Sequence, residues 1–247
     1  MNLRAAFGLA RSIAVYGMPW RQPSLRRHYR PLINPGDLVF DVGAHIGDRT
    51  LTFAALGANV LAFEPQPLPL AYLRWRTRGN PAITVLGIAV GEQVGTAELA
   101  VSERNPTVST LSRSWRESIG NKNQGFSKVA WNQSVQVPVT TLSALIETYG
   151  EPQFCKLDVE GHEAAVLAGL DRPLPALSFE YVAGTLEVAQ ACIARLGALG
   201  NYTFNVSLGE SRRLALSEWV GDQAMQAWLV ANESQSSSGD IYAKRIS

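Results

Sequence analysis

The 247-residue chain is 46% apolar and 17% charged, a balance that excludes intrinsic disorder for most of its length and supplies apolar surface for one large α/β domain or two small ones. Its 22 Lys and Arg against 21 Asp and Glu give a net charge of +1, so no global field singles out nucleic acid or a strongly acidic partner. Two cysteines, Cys155 and Cys192, each sit inside an apolar run, which excludes a disulfide framework and fits a reducing, cytoplasmic compartment. Charge is uneven along the chain. Residues 1–36 hold six Arg and no acid, which sets them apart as a basic, helical N-terminal segment ahead of a main domain over residues 37–247. Residues 5–15 read as an amphipathic helix and not as a signal peptide, because Arg11 interrupts the apolar run and no Ala-x-Ala site follows. Two readings of this helix stay open: packing against the main domain, or contact with a membrane surface through Arg side chains with Phe7 or Trp20. No apolar run approaches the roughly 18 residues that span a bilayer.

From Asp37 onward, strand-like runs at 38–42, 60–63 and 83–86 alternate with helical patterns at 47–56 and 68–78. Such alternation predicts βαβ units and a mostly parallel sheet with helices on both faces. Residues 88–90 and 96–101 flank the turn-rich 91–95 and predict a hairpin inserted after the third strand. Residues 102–134 are polar, rich in Ser and Asn, with Trp115 and Trp131 embedded; they form a lid over a ligand or a plain insertion. A strand follows at 135–139, where Pro138 predicts an edge position, and Thr140 or Thr141 caps a helix to Tyr149. Strands at 154–158, 176–181, 202–206 and 241–243 then alternate with helices at 161–170, 185–199 and 225–230, and residues 232–239 read as a flexible polar turn.

In an open parallel sheet, ligands bind beyond the carboxyl ends of the strands, where strand order reverses. The first strand ends in Asp41-Val42-Gly43-Ala44-His45-Ile46-Gly47, whose glycines predict a tight turn and close approach of a ligand to backbone N–H groups. A dinucleotide fingerprint needs Gly-x-Gly-x-x-Gly, and a P-loop needs Lys-Ser or Lys-Thr after its glycines. Gly43-x-x-x-Gly47, opened by Asp41, is neither. A loop opened by an acid suits a ligand that is cationic or zwitterionic at that point. The second strand ends in Phe63-Glu64-Pro65, with Glu64 placed 23 residues after Asp41, where a carboxylate can accept both hydroxyl protons of a ribose. Together the two strand ends point to an adenosyl ligand.

Asp-Val-Gly-Ala-His-Ile-Gly (41–47), Phe-Glu-Pro (63–65), Ala89-Val90-Gly91 and Lys156-Leu-Asp158-Val-Glu160-Gly161-His162-Glu163 resemble the FkbM family of S-adenosylmethionine-dependent methyltransferases over residues 35–183. His45 stands where the family pattern more often has Asn. The resemblance implies a Rossmann-like class I fold with about seven strands, the last antiparallel, and S-adenosylmethionine as cofactor. It also implies O-methylation of a hydroxyl on a sugar, glycolipid or polyketide-like product, so that the partner is a small-molecule or glycan acceptor and not nucleic acid. On this reading Asp41, Gly43, Ala44, His45, Gly47, Glu64, Pro65, Ala89 and Asp158 line the cofactor.

The fourth strand carries the chemistry. Period 2 puts Lys156, Asp158 and Glu160 on one side, either as an ion pair that locks the strand or with Asp158 beside the methyl group and the acceptor oxygen. Methyl transfer requires alignment of the reactants and a base for the hydroxyl proton; the candidates are Asp158, Glu160, His162 and Glu180, the last ending the fifth strand. Asp158 and Glu180 are also the carboxylate pair that would hold Mg²⁺ or Mn²⁺ if a metal takes part. Ser109, Thr110 and Trp115 are candidates for recognition of a sugar, and Arg74, Arg76 and Arg78 read as a solvated helix face. A non-catalytic nucleotide-binding or scaffold module with the same fold is the alternative.

Overall fold

Alternate residues of the first strand, β1 (Leu38–Val42), leave it on opposite faces, and that period organises both layers of the protein. The structure, a computed structural model, describes residues 3–246. Two helices, α1 (Leu3–Tyr16) and α2 (Gln22–Tyr29), precede β1. After it come α3 (Asp48–Ala55), β2 (Asn59–Phe63), α4 (Pro67–Thr77), β3 (Ile83–Leu86), β4 (Ala89–Val90) and β5 (Gly95–Val101). The middle of the chain forms α5 (Arg113–Lys122), β6 (Gln133–Thr140), α6 (Leu142–Tyr149), β7 (Phe154–Leu157) and α7 (Glu163–Ala168). It finishes with β8 (Ala176–Val182), α8 (Leu186–Leu199), β9 (Tyr202–Leu208), α9 (Asp222–Asn232) and β10 (Ser238–Arg245).

Seven strands make one sheet in the order β3-β2-β1-β7-β8-β10-β9. All its pairings are parallel except those of β10, which runs antiparallel to both β8 and β9. This is the Rossmann-like α/β arrangement expected from the sequence, with strand order reversing beside β1. Phe40 and Val42 enter a core shared with Ile146 of α6, Val166 of α7 and Ile193 of α8. Val39 turns the other way, onto Leu25 and Tyr29 of α2 and Phe53 of α3. Both faces are thus covered by helices, as a parallel sheet requires.

The N-terminal segment is drawn into this second core. Tyr29 packs edge-on against Phe53 at 4.9 Å and Phe154 at 5.9 Å. Helix α1 lies farther out, with Gly8 buried against the backbone of Glu103, where a Cβ would overlap the carbonyl oxygen.

Several local expectations need correction. The predicted hairpin between β4 and β5 does not form: β6 inserts between them, parallel to β4 and antiparallel to β5, as a separate three-stranded sheet. Pro138 therefore lies in the central strand and not at an edge. It is tolerated because β4 pairs only with Val139 and Thr140, and Pro138 stands just before that pairing begins. The polar insertion is folded, since it contains α5, capped by Ser112, whose side chain accepts the Trp115 N–H. Part of the supposed turn at 232–239 is strand: Ser238 and Gly239 already pair with Val182 and Tyr181 of β8. Thr141 caps α6, accepting the Ala144 N–H.

Candidate functional site

One cleft opens at the carboxyl ends of β1, β2, β7 and β8, and it brings together Asp41, Gly43, Ala44, His45, Glu64, Pro65, Ala89, Lys156, Asp158, His162 and Glu180. Gly47 and Trp115, also singled out from sequence, do not line it. The glycines make the tight turn expected of them and also admit close packing. Gly43 has φ +86°, and a Cβ there would overlap the Asp158 carbonyl oxygen, while at Gly47, φ +81°, it would overlap Leu73. Both glycines thus admit neighbouring protein segments, and Gly43 also lines the cleft. The Gly43 and Ala44 N–H groups both donate to the Phe63 carbonyl at 3.0 Å, so they too are committed within the protein.

The carboxylates of this half of the cleft are buried. Asp41 Oδ2 accepts the Thr50 hydroxyl at 2.5 Å, and burial pushes its carboxyl up to about 6. Glu64 accepts the His45 N–H on Oε2 at 2.8 Å and the Gln66 N–H on Oε1 at 2.7 Å. Burial raises Glu64 to about 7 even against these two bonds, and each oxygen keeps a second lone pair for a ligand hydroxyl. His45, at φ +50°, has a buried Nε2 without a hydrogen-bond partner among the described residues. Burial lowers its titration to about 4, so the ring is neutral.

The other half is an acid cluster. Oxygens of Asp158, Glu160 and Glu180 lie within 4.8 Å of one another. Lys156, 1% exposed, donates from Nζ to Asp158 Oδ2 at 2.7 Å and lies 3.7 Å from Asp240 Oδ1 on β10. Burial opposes charge on both partners of the first pair, yet the lysine is held well above and Asp158 below its ordinary range by their mutual attraction. Glu160 and Glu180 are pushed well above the carboxylate range, by burial first and then by neighbouring acids. His162, at the start of α7, is lowered to about 4 by burial and is neutral. The lock between Lys156 and Asp158 and the convergence of acids are thus both present. Period 2 does not extend as far as supposed, because β7 ends at Leu157; Glu160 joins the cluster through a left-handed turn, φ +54°.

The insertion props that turn. The Thr110 hydroxyl donates to the Glu160 carbonyl at 2.7 Å, and Trp115 packs so tightly on Gly161 that a Cβ there would overlap the indole. Trp115 is 3% exposed, donates to Thr185 Oγ1 at 3.2 Å and meets Phe126 and Trp131 edge-on. It is core, not a platform for a sugar. Ser109 is also buried and donates to Gln66 at 2.9 Å, although Ser109 and Thr110 do line the cleft. Arg76 is not solvated as supposed; it donates to the carbonyls of Ile46 and Gly17.

Among the lining residues that escaped the sequence reading are Tyr16, Arg49, Glu210 and Asp240. Glu210 binds Arg21 at 2.8 Å and Arg49 at 3.0 Å, and these guanidinium groups hold it down to about 2 against the effect of burial. Asp240 is the register partner of Glu180, and only recognition of β10 as a strand from Ser238 onward could have found it.

The profile of the family described as Methyltransferase FkbM domain matches residues 41–184. The hexuronic acid methyltransferase AglP of Haloferax volcanii is 29% identical over 149 residues, 59% of this chain and 55% of that protein. The 31-O-demethyl-FK506 methyltransferase FkbM of Streptomyces tacrolimicus is 30% identical over 160 residues, 56% of this chain and 61% of that protein. The chain therefore spans 55% to 61% of the length of these relatives. Among solved structures, a TehB-like SAM-dependent methyltransferase from Corynebacterium glutamicum superposes with TM-score 0.48 at 11% identity, covering 96% of this chain and 94% of that one.

Proposed function

Because the chain belongs to the FkbM methyltransferase family, whose profile begins at Asp41 in the cleft, we propose that it transfers a methyl group from S-adenosylmethionine to a hydroxyl of a sugar, glycolipid or polyketide-like product. The observation that carries this reading is the gathering of Asp158, Glu160 and Glu180 in the same cleft as Glu64. A cleft lined by these acids suits a cationic ligand, and the unpartnered buried His45 Nε2 and Glu180 Oε2 leave polar atoms for it to satisfy. The names of the two relatives, one acting on a hexuronic acid and the other on demethyl-FK506, support a sugar or macrolide-like acceptor.

When bound, S-adenosylmethionine supplies the methyl group on a sulfonium whose thioether leaves without needing a proton. Glu64 accepts the ribose hydroxyls, and Asp41 and His45 shape the loop beside it. Asp158, kept ionised by Lys156, accepts a hydrogen bond from the acceptor hydroxyl and orients its oxygen. The carboxylate that accepts this bond also receives the single hydroxyl proton; Glu180, with Glu160 beside it, is the alternative partner for it, since a carboxylate whose titration is raised is the stronger base once ionised. His162, neutral in the same cleft, offers a second acceptor for that proton. Asp158, Glu160 and Glu180 are also the oxygen set that Mg²⁺ or Mn²⁺ would take, so the assay is run with and without chelator.

Calorimetry and turnover test the two halves separately. Glu64→Ala is expected to weaken S-adenosylmethionine binding about tenfold or more. Asp158→Asn is expected to bind it within a few-fold of wild type while turnover falls by about 10²–10⁴. Turnover is measured with methyl-labelled donor and glycan, lipid and small-molecule extracts. Wild-type affinity in the first variant, or wild-type turnover in the second, would overturn the corresponding role. Binding without transfer to any acceptor would favour the scaffold reading.

A further inference from the structure

A helix packed on a globular domain ordinarily turns its large apolar residues inward; α1 does the reverse. Its buried residues are Gly8 and Ser12, the first pressed on the Glu103 backbone. Leu3, Phe7, Ala10 and Ala14 share one stripe at helical spacing, and all four are exposed, Leu3 at 87% and Phe7 at 68%. Arg4 and Arg11 stand along one flank of that stripe, exposed as well, with one guanidinium nitrogen of Arg11 donating to Asn105 Oδ1. Just beyond the helix, Trp20 is 74% exposed. The whole stretch through Gly36 carries six Arg, of which Arg21 is paired with Glu210, and no acid. An apolar stripe bordered by cations, continued by an exposed Trp, has the chemistry of the boundary between lipid headgroups and acyl chains.

We propose that α1 docks the protein on a bilayer containing anionic lipid, with Leu3 and Phe7 inserted at the headgroup boundary and Arg4 and Arg11 at the lipid phosphates. Charge complementarity selects this occupant, since an anionic leaflet attracts each surface Arg and an uncharged one does not. The groove under α1 adjoins the cleft: Tyr16, Pro106 and Thr107 line both. Docking therefore sets that opening near the lipid surface. The inference rests on the helix alone and does not depend on the catalytic reading.

The test is co-sedimentation of the full chain with vesicles of phosphatidylcholine alone and of phosphatidylcholine mixed with phosphatidylglycerol. Wild-type protein is expected to sediment with the anionic vesicles, less so as salt is raised, and to stay in solution with the neutral ones. Phe7→Glu and Ala10→Glu are each expected to lower partitioning about tenfold or more. Val230→Glu, at a 62% exposed position on α9, should leave it unchanged, and matching thermal melts exclude misfolding. The proposal fails if wild type ignores anionic vesicles or if Phe7→Glu still binds them. It also fails if light scattering shows a dimer that Phe7→Glu dissociates, since a second copy then covers the stripe.

Discussion

Glu163, in the first turn of α7, accepts the Val159 N–H on Oε1 at 2.9 Å, and burial raises its carboxyl to about 7 from an ordinary 4.5. The folded state thus favours the protonated acid. The stability this contributes is fully present below the unfolded value and is lost as pH rises through about 7. Glu163→Gln keeps an acceptor for Val159 and removes the titration. Relative to wild type, its melting temperature should rise steadily from about pH 4.5 to about 7 and hold a constant margin above that; parallel curves at all pH values would show that Glu163 does not titrate this way. At this scale the site was largely legible. Glu64 and Asp158 end apolar runs, and an acid there has no packing reason to be present. Glu160 was misplaced in geometry because a left-handed turn, not strand period, brings it in. Asp240 was missed because its place depends on pairing with Glu180 across β8 and β10.

Among the elements, the insertion over residues 102–134 departs furthest from its composition. Ser and Asn dominate it and suggest a loop, yet Trp115, Ile119, Phe126 and Trp131 form a small core of their own with Val182 and Val188. Trp115→Ala should cost about 3–5 kcal/mol in a denaturant melt. It should also reduce turnover, because the indole holds the Gly161 turn that carries Glu160. A melt within experimental error of wild type would return Trp115 to the surface role first considered. The aromatics misled because in a polar stretch they resemble recognition side chains, and nothing local distinguishes a buried indole from an exposed one. Periodicity found the strands of the large sheet, whose residues alternate between two cores. It could not find that β4 pairs with β6, about 50 residues onward, since partner choice between short strands is a non-local property.

For the molecule as a whole, the family-matching stretch at residues 41–184 is less than the folding unit. Tyr16, Glu210 and Asp240, all outside it, line the cleft, and β8 pairs with β10 over seven residues from Ala176 to Val182. A fragment of residues 41–184 would leave that edge and the Phe179 layer uncovered. It is expected to give no cooperative thermal transition, and a dispersed proton spectrum from such a fragment would contradict this. The sequence conveyed the number of strands and the reversal beside β1, but not that the two ends of the chain meet in the Arg21–Glu210–Arg49 bridge.

β10 follows β9 in the chain but lies between β9 and β8. A ribosome that has delivered residues only as far as 237 has therefore made β9 before the strand it must bind exists, and Lys156 still waits for Asp240. Until the next eight residues emerge, the nascent protein presents the flank of β8 to its surroundings as an unguarded template, the interval in which a chaperone or a stray neighbouring chain competes for it.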